Sequence, residues 1–194
     1  MKKLIGYLAV LTILTSCTSQ KMLSIYQTSG VEIAQNSSGA DILNKYNTSR
    51  PITALHSSLS LCIAQELDNG PVVLASENYS GSLWWPYYNV PSQQAITVSG
   101  GDTIKLVEGN HVVANAVTDY LYHTKYFISY ILTATRHQNN IHYLFSNIKQ
   151  AHQYTGSVVN DGFENVKTLE SVHPNLVIDA LNKEADKIQE CLLR

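Results

Sequence analysis

Seven histidines are the side chains best suited to chemistry near neutral pH: His56, His111, His123, His137, His142, His152 and His173. An imidazole can ligate a metal or move a proton, but spacing decides whether several can act together. None falls in an H-E-x-x-H or H-x-H arrangement, and no cysteine pair has finger spacing, so no metal site is expected. His137 and His142 flank a turn signal and would face each other across it if Asn139-Asn140 forms the tip. Two imidazoles without a nearby carboxylate make a poor site. Nucleophilic catalysis fares no better, with neither a G-x-S-x-G elbow nor a protease-like cysteine neighbourhood. Asp102, Glu108, Asp119 and Asp161 all sit near turns, where carboxylates act as turn formers. The pattern predicts no catalytic residues, no metal and no cofactor.

Aromatic side chains offer recognition instead. Trp84, Trp85, Tyr87 and Tyr88 cluster around Pro86 and include both tryptophans of the chain. Neighbouring side chains of an extended segment point to opposite sides, so they cannot all lie under one surface. Two arrangements fit: an exposed platform that stacks a sugar ring, a peptide or a partner, or a loop folded back to plug the end of a sheet. A second set, Tyr120, Tyr122, Tyr126, Tyr130, Tyr143 and Tyr154, reads as core with wet hydroxyls at a sheet rim, or as a ligand groove on the sheet face.

These groups must be carried by a folded scaffold, and the chain can build one. It has 194 residues, 44% of them hydrophobic and 14% charged, with a net charge of -2. Such a balance leaves no basic footprint for nucleic acid and enough apolar material for one core. Leu55, Leu59, Cys62, Ile63 and Leu67 recur at helical steps, predicting an amphipathic helix over 53–67, capped by Thr53 and stopped by Asp68-Asn69-Gly70. A strand is expected over 71–75. The runs 95–98, 103–107 and 112–117, separated by Gly100-Gly101 and Gly109-Asn110, read as a three-stranded meander. A longer hairpin follows, over 126–135 and 141–149, with a register that the pattern leaves open because Phe127 and Ile131 oppose Tyr130 and Leu132 in parity. Its Ser, Thr, Asn and Lys residues suggest that one sheet face is wet. Residues 151–172 look irregular. Residues 174–193 form a strong helix, opened by Pro174 and striped with Leu176, Val177, Ala180, Leu181, Ile188 and Leu192. The expected fold is α+β: an antiparallel sheet of five or six strands with an N-terminal and a C-terminal helix on one face.

The N-terminus is of a different kind. Lys2 and Lys3 precede an apolar run of 11 residues, 4–14, too short for the ~20 helical residues that cross a bilayer but suited to a secretory signal. The run ends in Leu14-Thr15-Ser16-Cys17, which resembles the lipobox of bacterial lipoprotein precursors. That resemblance implies diacylglyceryl transfer to Cys17, cleavage after Ser16 and further acylation, so that the chain meets the membrane through lipid on Cys17. The alternative is an ordinary signal cut near Ser16 or Ser19. Thr18, where an aspartate would retain the protein at the inner membrane, implies outer-membrane sorting and a periplasm-facing domain in a Gram-negative cell. Loss of Lys2 and Lys3 leaves 11 basic against 15 acidic residues, a net charge of -4. An anionic chain gains nothing from anionic lipid, so the acyl groups must do the anchoring.

On this resemblance the chain divides into a signal peptide (1–16), a lipidated flexible tether rich in Ser, Thr, Asn and Gln (17–51) and one α+β domain (52–194). With Cys17 acylated, Cys62 and Cys191 remain as a pair in an exported protein, where an oxidising compartment favours a disulfide over two free thiols. The order of elements over 52–194 resembles bacterial lipoprotein domains of TBP-like or helix-grip type, and no motif carries functional residues across. The function expected is a binding or scaffold module of the cell envelope with a protein partner. The alternative is a small-ligand or glycan binder that uses Trp84, Trp85, Tyr87 and Tyr88; an envelope hydrolase comes last.

Overall fold

The structure, a computed structural model, describes residues 23–52, 56–80 and 90–194. The longest strands grow from alternating sequence. In β7 (Thr124–His137) Tyr126, Ile128, Tyr130, Leu132 and Ala134 are buried, while the residues between them face the other way. β6 (His111–Tyr122) repeats this with Val112, Ala114, Ala116 and Tyr120. These strands sit at the centre of an antiparallel seven-stranded sheet. Its path is β1 (Val31–Gln35), β2 (Asp41–Pro51), β8 (Asn140–His152), β7, β6 and β5 (Ile104–Glu108), and the short β9 (Glu164–Asn165) pairs with β8.

Two bulges reconcile the apolar pattern with one core. Ser129 pairs with Lys149 but Ile131 pairs with Ser146, so Asn147 and Ile148 together oppose Tyr130. Asn147 takes φ 51°, a left-handed conformation that asparagine tolerates better than most residues. The extra residue shifts the inward parity of β8 from Ile141, Tyr143 and Phe145 to Ile148 and Gln150. A similar slip between Glu32 and Ile33 leaves Asn44 extra in β2, so that Leu43 and Tyr46 both turn inward.

The inner face is covered by α3 (Pro174–Leu193), as its stripe predicts. Val177, Leu181, Ala185, Ile188 and Leu192 are fully buried against the sheet, each such large side chain contributing roughly 1.5–3 kcal/mol. Arg50 of β2 donates from Nε to Asp186 at 2.6 Å and from Nη2 to Asn182 at 3.0 Å, tying the strand to the helix. α2 (Leu59–Glu66) packs beside α3, with Cys62 and Ile63 buried. It starts later than predicted. The cap is Ser58, whose Oγ accepts from the Leu61 amide at 3.2 Å, whereas His56 and Ser57 are not helical and Thr53 lies outside the described residues. Extended Leu67 ends the helix.

Cys62 and Cys191 form a disulfide, with Cα atoms 5.6 Å apart. The bond joins α2 to the last turn of α3, as expected. Among the described residues, no helix is long and apolar enough to cross a membrane.

Two expectations are corrected. Residues 31–51, assigned to a flexible tether, form β1 and β2 inside the main sheet, so the folded part does not begin at residue 52. Even the short α1 (Leu23–Tyr26) is pinned by Ile25, buried in the core. The meander is the second correction. β4 (Val90–Val98) pairs with β3 (Val72–Ser80) in a separate two-stranded sheet, not with β5. Gly100 is therefore no hairpin tip: a Cβ there would stand 1.8 Å from the Asn69 carbonyl oxygen, so glycine lets two backbones pass in close contact. The β5–β6 hairpin at Gly109-Asn110 forms as predicted. The turn of the long hairpin is Gln138-Asn139, within the stretch between the two arms that was expected to turn, with His137 paired to Asn140.

The β3–β4 hairpin lies on the outer face, where Val72 and Leu74 pack with Ala151, Val98, Val117, Phe127 and Phe163 in a second, smaller core. This resolves the parity conflict of β7. Tyr130 and Leu132 face α3, and Phe127 faces β3–β4.

Candidate functional site

On the outer face of β2, β8 and β7 beyond the β3–β4 hairpin, the alternating polar residues form a continuous surface. Register sets up the rows. Ser49 pairs with His142, His142 with Thr135, Thr135 with His111, and His111 with Glu108. Asn47, Leu144 and Thr133 form the next row. Together with Ser29 and Gly30 these residues line an open groove of about 560 Å³.

Gly30 walls the groove through its backbone. With φ 82° its carbonyl accepts from the Asn47 amide at 2.8 Å, and a Cβ would meet the Asn47 oxygen at 2.0 Å. Side-chain hydroxyls of Ser49, Thr133 and Thr135, the Asn47 amide and the His142 ring then project from a rigid floor with Leu144 at its centre. Among the described residues, no Asp, Glu, Lys or Arg lines it. Such a surface exchanges hydrogen bonds with neutral polar partners and has no charge to attract ions. His111 Nδ1 lies 3.0 Å from Thr135 Oγ1, with donor and acceptor set by the tautomer.

The histidine pair predicted across the hairpin does form: the rings of His137 and His142 are edge to face at 5.3 Å. Among the described residues, no three His, Cys, Asp or Glu side chains come together as metal ligands.

The tyrosines divide. Tyr120, Tyr126, Tyr130 and Tyr143 are buried between sheet and α3, which places their rings away from the outer groove. The expectation of wet hydroxyls fails for Tyr130 and Tyr143, whose hydroxyls are buried with no partner among the described residues; burial drives both phenols well above their ordinary range. Tyr122 and Tyr154 are exposed. Close enough to influence Tyr130 is a buried carboxylate, Glu184, which accepts from Thr118 Oγ1 at 2.7 Å and Lys187 Nζ at 2.9 Å. Glu184 interrupts the α3 stripe, and nothing in the sequence marked it as buried.

A smaller pocket of about 270 Å³ lies at the end of β8, beside His152, Asn160, Asp161, Glu164 and Lys167. Buried Asn160 holds its loop, donating to the His152 carbonyl at 2.9 Å and accepting from the Gly162 amide at 3.2 Å. The His152 ring packs 4.0 Å from Tyr126. Partial burial lowers its pKa, and Glu164 opposes the shift.

Cys17, Trp84, Trp85, Tyr87 and Tyr88 lie outside the described residues. Apart from His142, the groove residues were missed individually by sequence reasoning. The available signal was the polar half of the alternating pattern in β7 and β8, which marked a wet face without naming it as a site.

Comparison with known protein families, curated proteins and solved structures found no match.

Proposed function

We propose that this protein is a lipid-anchored binding or scaffold module of the bacterial cell envelope, facing the periplasm from the outer membrane. The observation that carries the reading is the Cys62–Cys191 disulfide in a chain whose N-terminus has a basic start, a short apolar run and the Leu14-Thr15-Ser16-Cys17 box. An oxidising compartment is where such a bond persists, and the box supplies the route there. The outer sheet face supports binding rather than catalysis: a fixed floor of hydroxyl, amide and imidazole groups can recognise a partner without activating any bond. A protein partner of the envelope fits it by hydrogen bonding along the Ser49, Thr133, Thr135 and His142 rows.

Cellular fractionation with Cys17→Ser tests the anchor: the wild-type chain should sediment with membranes and the variant should lose that association. Crosslinking in intact cells tests the binding role. Capture of an envelope protein by the wild type, with loss on Thr133→Lys, is expected; capture unaffected by Thr133→Lys removes the groove from the account.

A further inference from the structure

We propose that one end of the domain rests directly on the lipid surface that holds Cys17, with Leu121, Val158, Val159 and Leu169 entering its interfacial layer. The proposal rests on acylation of Cys17, put forward above. Its first support is length. Only six residue steps separate Cys17 from the start of α1 at Leu23, a reach of at most about 20 Å for a fully extended chain. Because Ile25 is fixed in the core, the domain cannot drift further than this from its anchor.

The second support is direction. Tyr26 donates from its hydroxyl to Asp41 at 2.7 Å, and the Thr168 amide donates to the Asp41 carbonyl at 3.1 Å. The chain therefore enters the domain at the edge where β2 begins. Antiparallel pairing brings the end of β8, the start of β7 and the end of β6 to the same edge. The β6–β7 turn, the loop after β8 and the segment before α3 all emerge there.

The third support is where bare apolar surface lies. Leu121 near the end of β6 is 77% exposed, Val158 66%, Val159 56% and Leu169 44%. Tyr122 is exposed beside them, its ring 3.7 Å from that of His173. Apolar side chains gathered at the mouth of a short lipid tether match an interfacial layer, with tyrosine suited to its polar boundary. Charges at this end are of both signs, Lys125 and Lys167 against Asp41, Asp119, Asp161, Glu164 and Glu170, and give no basic patch for anionic lipid. The contact should thus be apolar and insensitive to salt. β7 runs 14 residues, so the Gln138-Asn139 turn stands about 45 Å away at ~3.3 Å per residue, pointing the groove's histidine end outward.

The test uses the mature acylated chain in vesicles of phosphatidylethanolamine and phosphatidylglycerol containing lipids with a nitroxide on the acyl chain. A fluorophore is placed by Leu121→Cys, Val158→Cys or, at the far end, Asn139→Cys; the oxidised Cys62–Cys191 pair does not react with it. If residues 121 and 158 enter by the ~5–10 Å usual for interfacial segments, they are quenched at least about twofold more than residue 139, and high salt leaves the ratio unchanged. Adding Leu121→Glu should reduce quenching at residue 158. Equal quenching at all three sites on a chain shown by mass to be acylated overturns the docking and leaves the lipoprotein reading standing. A chain without acyl groups overturns both.

Discussion

Replacing both Cys62 and Cys191 by alanine removes the one covalent link between α2 and α3, and the size of the effect can be worked from the structure. The two cysteines are 129 residues apart. A loop of that length constrains the unfolded chain by about 5 kcal/mol in the chain-entropy description. Small domains have a total stability of ~5–15 kcal/mol, so the bond is worth a third or more of it. Among the described residues, other polar ties at this end include the His56 amide to the Leu192 carbonyl at 3.0 Å and Gln189 Nε2 to the Pro51 carbonyl at 2.6 Å. Urea unfolding of the oxidised chain and of Cys62→Ala/Cys191→Ala should therefore differ by about 3–5 kcal/mol, the variant having the larger m-value because its unfolded state is less constrained. A loss below about 1 kcal/mol with unchanged m would show that packing alone holds α2 to α3 and would refute the reasoning.

Other perturbations read separate parts of the fold. Gly100→Ala should destabilise by about 1–3 kcal/mol because its Cβ would overlap the Asn69 carbonyl, whereas Gly39→Ala, with open space around it, should cost only the strain of its φ of 78°; thermal unfolding compares the two. Glu184→Ala strands the part-buried Thr118 hydroxyl and should cost ~1–3 kcal/mol in chemical denaturation. His152 has a folded pKa below its ordinary 6.5 because burial disfavours the cation. Its protonation therefore opposes folding: the contribution is absent above 6.5 and stability falls as pH drops below it, with the sign worked from proton linkage. An NMR titration should place the ring below 6.5, and His152→Gln should flatten that limb of the stability profile.

The sequence announced some elements far more clearly than others. α3 was legible because its buried residues keep one helical stripe over 20 residues. The pairing of Cys62 with Cys191 followed from counting thiols on the expectation of an exported chain, with Cys17 set aside for acylation. β2 was hidden for two reasons. Its outward residues Asn47 and Ser49 look like linker, and the extra Asn44 breaks the period-two pattern between Leu43 and Tyr46. Gly100-Gly101 looked like a hairpin turn because local sequence cannot distinguish a positive φ from a close backbone crossing. Phe127 obscured the parity of β7 since both faces of the sheet are covered at that end. The groove shares the difficulty of β2: a site of Ser, Thr, Asn and His emerges only when strand register lines up residues from 47 to 144.

The central claim is that this chain is a lipoprotein matured at Cys17. Mass spectrometry of the N-terminal peptide from the membrane fraction tests it most directly. The account predicts a chain that begins at Cys17 and carries acyl groups on that residue; an unmodified N-terminus at any other position contradicts it.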